Sequence, residues 1–572
     1  MIPLLAALAL APTRFQVVQD NGISWLTDPV GHKTVSFGVC CVEPGTPFVT
    51  YDPGNPSYAA WKYYPNLAAW SQDTVDRLQS WSFNTIGAWS NLDQIRNLKT
   101  QGLYFTPILH MGSGAGAPWR DMWDPEVVKV MDQIAHDQIL PLKGDNRVIG
   151  YFSDNEQGWW EGALQDWAWK TAGGRSHMLA VLKQKYPTWQ AMTADFEPDG
   201  ASSFAQLAKT GRVYLRPGGN GMPAVQAYMK VLAGRYYSLC RDIIKKYDPG
   251  ALYLGDRYIS NFYPEVAEAS APYVDICSSN VNADWIPNSP PAKSDDWNDG
   301  GFARFYFPTL ENCVKKPIMV TEYYMTAKEN RTGNKNDSSG FPVVETQAQR
   351  AAGFASQTRY FLGHPYVVGA HWFQLSDEAK NGRGDGENYD MGLVDVDNRP
   401  YEEITQAAKD LNLTDFHTQA RTTQDKSSAV IPRIQGDPNN LQNWDRQDGY
   451  VASDNDFPRG DLYLGWQPGH LYVGLYWNED RFAEAFYKSG KVPDNDQPGF
   501  SVQLNGHTYR GRVDSDFKPD GYTMKLYSGD AVRKWAILDF PTQTEPIQLT
   551  VDLQTRGRAY SGRWSGSFKI RP

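Results

Sequence analysis

The sequence predicts an α/β chain: a (β/α)8 TIM barrel followed by a C-terminal antiparallel β-sandwich domain. Three observations predict it. Between about residues 30 and 410, short β-rich runs alternate with longer amphipathic ones, the pattern of repeated strand-helix units around a parallel sheet. Two of those runs end abruptly in polar residues, Ser153-Asp154-Asn155-Glu156 and Thr321-Glu322-Tyr323-Tyr324, and barrel enzymes keep their chemistry at carboxyl strand ends. After Leu411 the helical period gives way to short alternating strands separated by Pro, Gly, Asn and Asp turns, as in sandwich folds.

Taken in order, the first segment, residues 1–11 (MIPLLAALALA), is apolar and too short to span a bilayer. Its length suits a signal-peptide core with Ala9-Leu10-Ala11 as a small-x-small cleavage site, although no Lys or Arg precedes it. A secreted or periplasmic location is expected, with no membrane span. Eight strands follow, over 35–42, 85–89, 104–110, 148–156, 251–258, 274–280, 318–324 and 367–373, with helices over 74–81, 92–100, 127–138, 225–246, 264–270 and 346–361 between them. Closing eight such units leaves no open sheet edge. The unit after the fourth strand is long, over 159–248, and extra sequence there shapes a cleft on the catalytic face. A polar insert over 328–342 follows the seventh strand and reads as a loop beside the site. The expected layout is therefore a possible signal peptide over 1–11, a barrel over 12–412, a linker over 413–430 and a sandwich over 431–572.

Composition narrows the function. The 572 residues exceed one ordinary domain, and two or three are expected. A net charge of -10 without any Lys/Arg block argues against nucleic acid as a partner, because phosphate binding needs a basic surface. The 20 Trp and 32 Tyr suit stacking on flat ligands as well as large cores. Cys40, Cys41, Cys240, Cys277 and Cys313 show neither CxxC spacing nor nearby His, so neither a zinc site nor a disulfide framework is indicated. Cys40-Cys41, inside the first expected strand, would point to opposite faces as core thiols. Three Asn-x-Ser/Thr matches, at Asn330, Asn336 and Asn412, are acceptor patterns only.

Hydrolysis of an acetal linkage needs one carboxyl kept protonated for the leaving oxygen and another kept ionised to attack or activate water. Glutamates at the ends of the fourth and seventh strands meet that need, since strand ends are rigid and converge. Glu156 is the candidate acid/base and Glu322 the candidate nucleophile; the alternative for each is a strand-end carboxylate paired with a basic side chain. Asn155 is placed to bond a sugar hydroxyl, and Asp154 to give outer support, pointing with Glu156 by strand alternation.

These residues resemble the clan A retaining glycoside hydrolases: Asn-Glu ending strand four, Thr321-Glu322-Tyr323 ending strand seven, and His371-Trp372-Phe373 on strand eight. The segments over 150–156, 252–257 and 382–392 look most like the beta-agarase and beta-galactosidase branch, glycoside hydrolase family 50 in particular. The resemblance implies double displacement on a β-glycosidic bond of a polysaccharide or its oligosaccharides, agarose or another galactan being favoured. It also implies a carboxyl separation of ~5 to 5.5 Å, with no cofactor and no metal. The C-terminal part, through 461–477 and Asn443-Trp444, resembles family 9 carbohydrate-binding modules; Trp444, Trp466 and Trp477 are either stacking platforms or core.

Other expected substrate-binding residues carry alternatives. Arg257 either ion-pairs with Glu322, keeping it ionised, or closes the barrel end. Asn280 and Tyr324 hold the carboxylate or a sugar hydroxyl, Tyr324 sharing a side with Glu322 two residues earlier. Trp372 offers an apolar floor for a sugar ring. His110 and Trp89 are either cleft or core. Of the residues after strand eight, Asp377, Glu387 and Asn388 are hydroxyl-binding candidates and Glu378 reads as a solvated carboxylate. Competing readings are a catalytically silent carbohydrate-binding barrel, a glycosidase for gluco- or manno-configured sugars and, more distantly, a metal-dependent barrel hydrolase. Oligomeric state has no signal.

Overall fold

A computed structural model describes residues 13–571 apart from 99–101, 160, 259–262, 282–304, 337–341, 385, 421–426, 441–442, 447, 458, 479–482, 494–498, 513–516, 529–532, 542–543 and 556–559. The apolar segment 1–11 lies outside the described residues, as do parts of the expected loop 328–342 and linker 413–430. The fold is mixed α/β. Each of the eight expected strands is present and shorter than read: Ser36–Val39 (β1), Thr85–Ile86 (β2), Tyr104–Phe105 (β3), Gly150–Tyr151 (β4), Leu252–Tyr253 (β5), Cys277–Asn280 (β6), Ile318–Tyr323 (β7) and Val367–Trp372 (β8). Cys40 and Cys41 therefore follow β1 instead of lying in it, both as buried free thiols.

Neighbouring strands run parallel. A six-stranded sheet has the order β6-β7-β8-β1-β2-β3, and β4 pairs with β5. Isolated parallel bridges, Phe105↔Val148, Ile108↔Phe152 and Tyr258↔Ser279, join β3 to β4 and β5 to β6. Two apolar layers result. Ile149, Phe152, Leu254, Ile276, Met319 and Val368 gather with Leu26 of the hairpin formed by Gln16–Asp20 and Ile23–Thr27, whereas Ile318, Val320, Ala370 and Trp372 join the larger core against the helices. Helix caps agree with the sequence: Asp124 accepts from Glu126 N ahead of Pro125–Ile139, and Thr346 with Gln349 forms a capping box at Gln347–Gly363.

Beyond the expected elements, the insert after β4 holds helices Glu161–Lys170, Ala172–Lys185 and Trp189–Asp195 and a hairpin of Phe196–Asp199 with Arg212–Leu215, while the helix expected over 225–246 spans Met222–Tyr247. The C-terminal part contains two five-stranded sheets, antiparallel except where Val430–Ile431 pairs with Tyr560–Ile570. Side chains of both sheets, among them Val473, Trp477, Leu504, Leu538, Val551 and Trp564, share one apolar cluster. Trp477 and Trp444 are buried, as the core alternative has them, whereas Trp466 is half-buried and donates Nε1 to Arg571 O. Among the described residues no helix is long and apolar enough to cross a membrane.

Candidate active site

Five successive strand ends carry a non-glycine residue at positive φ: Cys41, Trp89, His110, Glu156 and Arg257, at 55°, 61°, 51°, 46° and 55°. Left-handed backbone costs about 1 kcal/mol or more at such residues and collects where side chains must be aimed. Here it turns the chain out of strand geometry at the carboxyl ends of β1 to β5. This overturns the alternation argument for Asp154. That side chain is fully buried and accepts from Gly112 N at 2.9 Å, Ser113 N and Oγ at 2.8 Å and Tyr236 Oη at 2.5 Å, while Glu156, half-buried, takes another direction. Burial pushes the Asp154 carboxyl up to about 7 against those hydrogen bonds.

Glu322 reaches the site through an irregularity in β7. Ile318 and Val320 pack toward the helices, so plain alternation would send Glu322 there too. The register shifts at Thr321, pairing Ser279 with Val320 but Asn280 with Glu322. Glu322 Oε1 accepts from Arg257 Nη2 at 2.7 Å and from Trp89 Nε1 at 3.1 Å. Its Oε2 has no hydrogen-bond partner among the described residues.

Arg257 is fully buried between the rings of Phe152 and Trp89, 5.4 and 6.0 Å away. Nη2 also donates to Thr321 O at 2.9 Å and Nη1 to Asn155 Oδ1 at 2.8 Å. The ion-pair alternative for Arg257 is the one the geometry realises. Asn280 ties Glu156 to β7: Thr321 Oγ1 donates to its Oδ1 at 2.8 Å, so its Nδ2 must face Glu156 Oε1 at 2.9 Å and Asn155 Oδ1 at 3.3 Å. Asn155 Oδ1 is thus occupied twice over, and its Nδ2 has no partner among the described residues. Glu156 is pushed up to about 7 by burial first and the Glu322 charge second, opposed by the Asn280 hydrogen bond and Arg257. His110, its ring 4.6 Å from that of Trp89, is held below the usual imidazole range by burial and then by Arg257.

The structure thus brings Glu156, Glu322, Asn155, Arg257, Asn280, Trp89 and His110 together. Trp372 is not with them: it is fully buried, donates Nε1 to Met391 O at 2.8 Å and packs between Tyr323 and Phe354. No sugar face can reach it. Tyr324 lies beyond the end of β7, half-buried, with its ring 6.4 Å from Phe373; alternation no longer fixes its side. Glu387 pairs with Arg383 and its charge reaches Glu156, while Asn388 Oδ1 accepts from Asn334 Nδ2. Glu378 is buried rather than solvated, accepting from Tyr389 N at 3.0 Å, and Asp377 is taken up by Gly392 N and Tyr401 Oη. Supporting residues that sequence reasoning left unassigned are Thr321, which orients Asn280, and Asp256, buried under Trp159 and Tyr237 and pushed up to about 6 by burial. Position next to Arg257 was the signal available for Asp256.

No protein-family model matches the chain. Two curated relatives of Vibrio sp. (strain JT0107) do: beta-agarase B, 27% identical over 364 residues, and beta-agarase A, 25% identical over 387. The matches cover 60% and 63% of this chain but 36% and 37% of those proteins, so the chain spans little more than a third of the relatives' length. A solved structure of an agarase, AgWH50C, shares the fold with a TM-score of 0.58 at 21% identity, over 72% of this chain and 66% of that one. These likenesses bear out the resemblance to the beta-agarase branch.

Proposed function

We propose that the chain is a retaining glycoside hydrolase cleaving β-glycosidic bonds of an agarose-like galactan, exported from the cell. Its eight parallel strands close as a (β/α)8 barrel over 12–412, joined through 413–430 to a β-sandwich over 431–572; the bridges at both ends of the β4-β5 pair support closure. One observation carries the reading: two glutamates from separate strand ends share one network, Glu156 pushed up to about 7 and Glu322 paired with a buried cation. Environments that separate two carboxyls in this way assign acid and nucleophile.

Glu156, protonated, gives its proton to the leaving oxygen while Glu322 Oε2 attacks the anomeric carbon, forming the glycosyl-enzyme and breaking the glycosidic bond. Arg257 and Trp89 hold Oε1, which aims the other oxygen. Glu156 then takes a proton from water as that water attacks the intermediate, and Glu322 leaves as carboxylate. Asn155 Nδ2 is the donor for the hydroxyl beside the scissile bond. Agarose follows from the relatives' names, since no contact in the site selects galactose.

The test follows the anomer first released from agarose and aryl β-galactosides by proton NMR, with Glu322→Gln as control. Retained configuration and loss of turnover in the variant are expected. Inverted product, or equal turnover by Glu322→Gln, overturns the reading.

A further inference from the structure

The loop between β1 and β2 carries an aromatic surface that the two glutamates do not use. Phe48 and Val49 are 73% and 87% exposed, Trp61 and Tyr63 42% and 37%. Single exposed apolar side chains are ordinary, whereas a contiguous group marks a binding surface. This group is contiguous: Phe48 and Tyr51 stand edge-on to the Trp61 indole, their centroids at 5.0 and 5.4 Å. It is also held in place. Trp61 Nε1 donates to Thr46 O at 3.0 Å, and Lys62 Nζ donates to Tyr51 Oη at 3.1 Å while lying over the Tyr51 and Tyr63 rings. The Gly45↔Ala59 bridge closes the base of the loop. There Gly45 has φ +69° and Tyr58 O would lie 2.1 Å from any added Cβ, so glycine is required. Rings fixed in advance lose little freedom when a ligand stacks on them.

Position ties this surface to the site. The loop leaves the carboxyl end of β1, the same end at which Glu156 and Glu322 stand. Asn55 accepts from Asn381 N at 2.9 Å and donates to Gly382 O at 3.3 Å, and Tyr63 Oη donates to Asp397 Oδ1 at 3.0 Å. That post-β8 segment also holds Arg383 paired with Glu387, whose charge reaches Glu156. We infer that Phe48, Tyr51, Trp61 and Tyr63 form a distal subsite for sugar units of a polysaccharide whose reacting linkage lies at the two glutamates, an inference that rests on the glycosidase reading. Sugar rings are the occupant that fits: their C–H faces pack on aromatic faces, and their hydroxyls meet the Tyr Oη groups and Lys62 at the rim.

Retention on insoluble agarose, cellulose and mannan tests this, using Glu322→Gln protein with and without Trp61→Ala or Phe48→Ala. At least one polysaccharide should retain the parent, and either aromatic substitution should weaken retention about tenfold. In the active background the ratio of kcat/KM on the polymer to that on an aryl β-galactoside should fall by a similar factor. Equal retention with and without the substitutions, or no retention by any polysaccharide, overturns the subsite. So does a concentration-dependent dimer that Trp61→Ala abolishes, because the face would then be a protein contact. If aromatic-dependent retention persists while nothing is cleaved, the binding surface stands and the glycosidase reading fails.

Discussion

Replacing Arg257 by Met examines the centre of the site. The side chain is fully buried and donates to three oxygens, Glu322 Oε1 at 2.7 Å, Thr321 O at 2.9 Å and Asn155 Oδ1 at 2.8 Å. At an effective dielectric of about 20, unit charges separated by the 2.7 Å of this pair attract by about 6 kcal/mol. Desolvation of both ions offsets part of that, and removing one partner of a buried pair typically costs about 3–5 kcal/mol, because the other charge stays buried and unpaired. Arg257→Met should therefore lower the unfolding free energy by about 3–5 kcal/mol at pH 7. In a Glu322→Gln background no buried charge is left unpaired, and the same substitution should cost about 2–3 kcal/mol less. Urea unfolding of the four proteins completes the cycle. Additive effects, or a single-variant cost below about 1 kcal/mol, would refute the view that Arg257 holds Glu322 as a buried ion pair. Turnover should fall with stability, since Oε1 loses its strongest anchor.

Three further outcomes are expected. Glu156 must be protonated to act as acid, so kcat/KM should decline as pH rises past about 7; Glu156→Gln should abolish that alkaline limb and lower kcat about 10²–10⁴-fold. Asn280→Ala removes a hydrogen bond that favours ionised Glu156, so the alkaline limb in the pH–rate profile should move to higher pH, and an unmoved limb would exclude this role. Asp154 is raised to about 7 in the folded state from a usual carboxyl value near 3.8. The folded protein therefore binds the extra proton, and the stabilisation present below about pH 4 is lost as pH rises through about 7. Asp154→Asn should flatten this part of the difference between urea midpoints at pH 5 and pH 8, relative to the parent; an unchanged difference would show that Asp154 does not titrate there.

What could be read from the chain, and what could not, divides along the β7 strand. Ile318 to Tyr323 is apolar up to Thr321, so its existence as a strand and its polar end were legible, as were all eight strands. Strand alternation then put Tyr324 beside Glu322 and Asp154 beside Glu156. For Asp154 it failed, because the left-handed residue at Glu156 interrupts the period of two, and Tyr324 lies past the end of the strand, where alternation no longer fixes a side. Trp372 was assigned to the cleft for its residue type, and packing against Phe354 took it into the core. Local pattern thus determined which segments are strands, which carboxyls end them and to which group of proteins the chain is related. Only the tertiary structure decided where those carboxyls point and what holds them. Bulges, positive φ and cross-strand hydrogen bonds such as Thr321 to Asn280 depend on partners tens or hundreds of residues away, and their cost is met by contacts that no local window contains.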